Sequence, residues 1–131
     1  MKIIKPEKWP RPSGFADGIV AAGQALFISG QVGWNPVSHQ FENSDFAGQV
    51  AQALRNVVAV AAAGGAQPEH IVRMTWFITD KPAYQNSKKE IGNAYREIMG
   101  SHYPAMSVVC VAALVEDQAK VEIEATAVLP R

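Results

Sequence analysis

Twice along this chain of 131 residues the apolar spacing switches from strand-like to helical and back, and that alternation limits the possible folds more than any other feature. Phe46, Val50, Leu54, Val57, Val58 and Ala61 recur at helical intervals, with Gln49, Gln52, Arg55 and Asn56 on other faces. Asn43, Ser44 or Asp45 can cap the start, and Gly64-Gly65 stops the helix. After Asp80-Lys81-Pro82, the spacing of Tyr84, Ile91, Ala94, Tyr95 and Ile98 predicts a second amphipathic helix ending at Gly100. Gly92 inside it costs about 1 kcal/mol against alanine, so something other than propensity placed it there.

The runs around these helices are β-branched and aromatic. Ile19–Ala21 and Leu26–Ser29, separated by Gly23-Gln24, read as a hairpin; Ile71–Thr79, Ser107–Leu114 and Lys120–Val128 read as further strands. Lys5–Gly14, with Pro6, Pro10 and Pro12, reads as an extended lead-in. The expected order is β-β-α-β-α-β-β, an α+β mixed sheet, because right-handed crossovers put both helices on one face. Val108–Leu114 is apolar at both alternations, which a strand with one wet face should not be. The uncovered face is therefore expected to be buried against another copy of the chain.

The length suits one domain over residues 1–131. Twelve Lys plus Arg balance twelve Asp plus Glu, and 48% of residues are hydrophobic. That composition excludes disorder, gives no general attraction to anionic lipid, and argues against a nucleic-acid partner. A single cysteine, Cys110, can form neither an internal disulfide nor a multi-thiolate metal site; amid valines it reads as a buried, inert thiol. His39, His70 and His102 are too scattered for a metal site. Gly64-Gly65 lacks the context of a phosphate-binding loop, so no cofactor is expected. Charge and proline interleave over residues 1–10, and no run approaches the roughly 20 apolar residues of a membrane span, so the expectation is a cytoplasmic protein away from membranes.

Five segments, in order, carry a family resemblance: Ser29-Gly30-Gln31, Gln52-Ala-Leu-Arg-Asn-Val57, Thr75-Trp-Phe-Ile-Thr-Asp80, Tyr103-Pro-Ala-Met-Ser107 and Val121-Glu-Ile-Glu-Ala125. Together they resemble the reactive-intermediate deaminase family (Rid, YjgF-like, also called the L-PSP endoribonuclease family) over nearly the whole chain. The resemblance implies a chorismate-mutase-like fold, a homotrimer with sheets facing inward, and ligand clefts between subunits. It also implies hydrolysis of a small enamine or imine, with water adding and ammonia and a 2-keto acid leaving.

By position the resemblance assigns catalytic roles to Ser29, the family's strand-end hydroxyl, and to Glu122, its water-orienting carboxylate. The family tyrosine falls on Phe15, and its helix asparagine on Gly92, with Asn93 as the neighbour. The arginine that grips the substrate carboxylate falls on Met106, and a thioether cannot replace a guanidinium. Substrate-binding candidates are therefore Phe15, Met106, Trp34, Val108 and Asn93, in a subgroup lacking the arginine and with an atypical substrate. Arg55 and Arg73 are the cations to examine as a replacement, although each reads as solvated. Glu122 and Glu124 share one strand face and can equally line solvent. Two other functions remain open: a non-catalytic trimer that binds metabolites or proteins, and the ribonuclease of the family's older label.

Overall fold

The computed structural model describes residues 1–130; Arg131, the last residue of the expected domain range, lies outside them. Strands β1 (Lys2–Ile4) and β2 (Gly18–Val20) pair antiparallel as a small separate sheet. The main sheet contains β3 (Gln24–Val32), β4 (Ile71–Ile78), β5 (Ala105–Cys110) and β6 (Val121–Leu129), in the order β3-β6-β4-β5. Only the β4-β5 pair is parallel; β6 runs antiparallel to both β3 and β4. The mixed α+β sheet agrees with expectation. The expected hairpin does not form, because β3 takes β6 as its partner over a ladder reaching from Gln24 to Val32, while β2 takes the unforeseen β1.

Helix α1 (Phe46–Ala63) is capped by the Asp45 side chain, which accepts from the Gly48 N–H at 2.8 Å. Its buried stripe includes Val50, Ala53, Leu54 and Val57, which meet Ile28, Ile123 and Met74 in the core. Gln49 and Asn56, placed by periodicity on other faces, are also buried, at 1% and 3% exposure. They are tolerated because their amides are paired. Gln49 Nε2 donates to the carbonyls of Asn43 and Gln118, and its Oε1 accepts from the Lys120 N–H at 2.8 Å. Asn56 Nδ2 donates to the carbonyls of Val32 and Trp34, tying the loop after β3 to the helix.

The expected second helix is two: α2 (Lys81–Asn86) and α3 (Lys88–Met99). The break is at Ser87, whose φ and ψ of −112° and 14° leave the helical region; its N–H donates to the Tyr84 carbonyl and its own carbonyl accepts from the Ile91 N–H, so it closes one helix and opens the next. The α3 helix packs on α1, so both lie on the same face of the main sheet. Strand β5 stops at Cys110 rather than Leu114 because β4 runs out: the Val111 N–H takes the Ile78 carbonyl at 2.8 Å as its last partner. Ala112 and Ala113 are exposed beyond it, and so is Cys110, contrary to its expected burial.

Among the described residues neither α1 nor α3 covers the opposite face of the sheet. Phe27 stands 78% exposed and Val109 40% exposed there. Among the described residues no helix is long and apolar enough to cross a membrane.

Candidate functional site

Alternation along the strands decides which candidate residues can meet. Met106 and Val108 pair with Met74 and Trp76, both buried in the core, so they stand on the helix side of β5. Glu122 pairs with Phe77, between Trp76 and Ile78, and so stands on the uncovered face. Ser29 follows the buried Ile28 on β3 and shares the side of Phe27. Within one chain Ser29 and Glu122 therefore lie on the opposite surface of the sheet from the lining candidates Met106 and Val108.

The uncovered-face group is compact. Gly30 lies directly against Glu122, where a side chain would collide with the carboxylate. The β3-β6 register slips between Ile28 and Gln31, the irregularity that brings Gly30 under Glu122. Gln31 Nε2 donates to the Ser29 carbonyl at 3.2 Å and lies 3.3 Å from Ser29 Oγ, which holds the serine hydroxyl close to the backbone. Glu124, two residues on, points the same way opposite Thr75 but is exposed.

The helix-side group opens into a cavity of about 610 Å³ at the outer edge of β5. An isolated parallel bridge brings Ala16 beside Ala105, with the Ala16 N–H donating to the Pro104 carbonyl at 3.0 Å. This contact lays Phe15 along the start of β5, where it lines the cavity with Met106 and Val108. The inner wall is Trp76, which is 2% exposed and whose indole N–H is buried without a partner. Tyr95 and Tyr103 form the end wall, stacked with ring centroids 4.9 Å apart. The Tyr95 hydroxyl donates to the His102 carbonyl at 2.7 Å. Burial, and then the neighbouring Tyr103, push the Tyr95 phenol well above its usual pKa, so it stays neutral.

Two lining candidates fall elsewhere. Trp34 stacks on His39 at 4.2 Å and packs near Phe41 within its own loop, away from the cavity. Asn93 is exposed beside the cavity, and its Oδ1 accepts from Arg96 Nη2 at 2.8 Å. His102 sits behind the wall with its Nε2 2.6 Å from the Ile71 carbonyl. Arg55 and Arg73 are both exposed and neither lines the cavity. The cations that do line it, Lys88 and Arg96, were not singled out from the sequence; their signal was the spacing Lys88, Gly92, Arg96 around an unexplained helix glycine. Among the described residues no group of His, Cys, Asp and Glu could hold a metal ion.

Known proteins resemble this chain along almost its full length. The sequence profile described as Endoribonuclease L-PSP matches residues 10–129. A 2-iminobutanoate/2-iminopropanoate deaminase from Bos taurus is 32% identical over 97% of this chain and 89% of its own. YyfB from Yersinia pestis, a protein of unknown function of the conserved Rid family, superposes with a TM-score of 0.84 at 31% identity, covering 98% of both chains. TdcF from Escherichia coli, solved with bound serine, gives a TM-score of 0.70 at 35% identity, covering 99% of this chain and all of the other. The sheet order, the shared helix face and these likenesses together mean that the chain has the chorismate-mutase-like fold and belongs to the Endoribonuclease L-PSP family, the Rid or YjgF-like proteins.

Proposed function

We propose that this protein hydrolyses a small enamine or imine in a cleft between subunits of a homotrimer, with an atypical substrate because Met106 stands where the family arginine is expected. The observation that carries this reading is the split of the site between two surfaces of one chain. Ser29 and Glu122 lie on a face that exposes Phe27, while Phe15, Met106 and Val108 line a cavity at the β5 edge. Docking the edge of one copy against the open face of the next would unite the two halves and cover the exposed aromatic ring.

In that cleft the Glu122 carboxylate orients water and accepts its proton as the oxygen bonds to the imine carbon; the C=N electron pair goes to nitrogen, which takes that proton from Glu122, and an enamine enters the same path once a proton has moved from its nitrogen to its β-carbon. The resulting aminoalcohol collapses to a ketone as its hydroxyl proton passes through Glu122 to nitrogen, the O–H electron pair forms the C=O bond, and the C–N bond breaks to release ammonia. The Ser29 hydroxyl binds rather than attacks in this reading, because the side-chain group seen bonded to it is the Gln31 amide, a donor and not a base. The deaminase name of the relatives supports this chemistry. Zero net charge opposes a ribonuclease. Met106 in the cavity wall favours the second reading, a trimer that binds metabolites without turnover.

The test is ammonia release from 2-aminoacrylate-like and muconate-like enamines generated in situ. The reading expects acceleration over buffer that Glu122→Gln abolishes. No acceleration with any enamine, by protein that still binds ligand, would sink the hydrolase and leave the binding module.

A further inference from the structure

The cavity beside Met106 has two cations in its wall and no carboxylate. Among the described lining residues Lys88 and Arg96 alone are charged; the others are aromatic, apolar, glycine or Ser13. Lys88, Gly92 and Arg96 lie one turn apart on a single stripe of α3. Helical side chains lean back toward the N-terminus, so Arg96 leans over position 92. Gly92 leaves that space open: a Cβ there would come 3.3 Å from Arg96 Nη1 and 3.8 Å from its Cζ. The helix glycine that propensity could not explain is the seat of a guanidinium.

Arg96 is steadied by Asn93, a neutral amide that orients the fork without cancelling its charge. Lys88 Nζ stands 5.9 Å from the centre of the Tyr84 ring, also in the wall. The same lining includes Phe15, Met106 and Trp76, whose indole N–H is buried without a partner. A planar guanidinium fork and apolar, aromatic side chains in one lining fit a ligand that carries both a carboxylate and a hydrophobic body.

We propose that Arg96, laid across Gly92 and flanked by Lys88, is the anion grip of this cavity, and that the ligand is a small carboxylate with an unsaturated or aromatic body lying against Met106. This rests on reading the cavity as the ligand half of the cleft. The carboxylate grip is then relocated from β5 to α3, and the methionine becomes a contact for the ligand's apolar end.

The probes are benzoate and its neutral isostere benzamide, titrated calorimetrically into the full chain in its native assembly. The wild type is expected to prefer benzoate. Arg96→Gln should weaken benzoate about tenfold or more and leave benzamide within about twofold, since a charged bidentate contact is lost and the apolar contact kept. Arg96→Lys should fall between the two, and Lys88→Gln should give a smaller loss of the same sign. Arg96 is exposed, so these variants are expected to retain the wild-type thermal midpoint. Equal binding of the two probes by wild type, no benzoate binding, or an Arg96→Gln variant that loses both probes or neither would overturn the assignment. If the benzoate pattern holds but no enamine is hydrolysed, the reaction fails and the grip stands. If enamines turn over with KM and benzoate inhibition unchanged in Arg96→Gln, the grip fails and the reaction stands.

Discussion

Gly30 is packed so closely on Glu122 that a Cβ at position 30 would lie 2.7 Å from the Glu122 Cδ. Glycine is therefore required there to keep the carboxylate in place beside the sheet. Gly30→Ala is expected to displace Glu122 and lower turnover toward the level of Glu122→Gln, itself about 10²–10⁴ below wild type for loss of a general base. Steady-state ammonia release on the variants checks this, and wild-type kcat in Gly30→Ala would refute the positional argument.

Exposure of Phe27 sets a second expectation. An aromatic ring 78% exposed on an open sheet face is what the proposed assembly would cover. Light scattering should give a mass near three chains for wild type, and Phe27→Glu should move the protein toward monomer without changing its far-ultraviolet circular dichroism. Turnover should fall with assembly, because the two half-sites would no longer meet. A Phe27→Glu variant of unchanged mass and activity would argue against an inward-facing sheet.

Gln49 is the most demanding polar residue of the core. Its side chain accepts from the Lys120 N–H and donates to the carbonyls of Asn43 and Gln118 at 3.2 and 3.0 Å. Gln49→Ala leaves those backbone groups unpaired next to a cavity, and is expected to cost about 2–4 kcal/mol in urea denaturation. A loss below about 0.5 kcal/mol, the usual surface value, would mean that the loop before β6 is held by something else.

Tyr95 provides a pH-dependent expectation. Its folded-state pKa is raised, by burial first and then by Tyr103, so the folded chain keeps the phenol proton that the unfolded chain gives up. The stability this contributes is fully present below the unfolded value of about 10 and is lost as pH rises above it toward the folded value. Urea midpoints measured upward from pH 9 should fall for wild type and fall less steeply for Tyr95→Phe. At neutral pH that variant should cost about 1 kcal/mol for the lost bond to the His102 carbonyl. Parallel alkaline slopes would exclude Tyr95 as the source.

The sequence alone carried the local elements and the family pattern. Residues of α1, Phe46 to Ala63, show their period and their caps within one continuous segment, as do β4 and β6. The alternation that puts Glu122 and Glu124 on one face is likewise a property of a single strand. Tertiary structure decided which strands pair and which surface each candidate reaches. β2 abandoned the hairpin for β1, and β5 ended where β4 did, because a strand's partner and length depend on carbonyls distant in sequence. Asn56 and Gln49 could be buried only because remote loop backbones satisfy them. Arg55 and Arg73 looked like the candidate cations in the linear order, yet Arg96 lines the cavity, with its guanidinium over Gly92 one helical turn away. Spacing within an element is encoded locally; whether two chemical groups meet depends on how the elements pack.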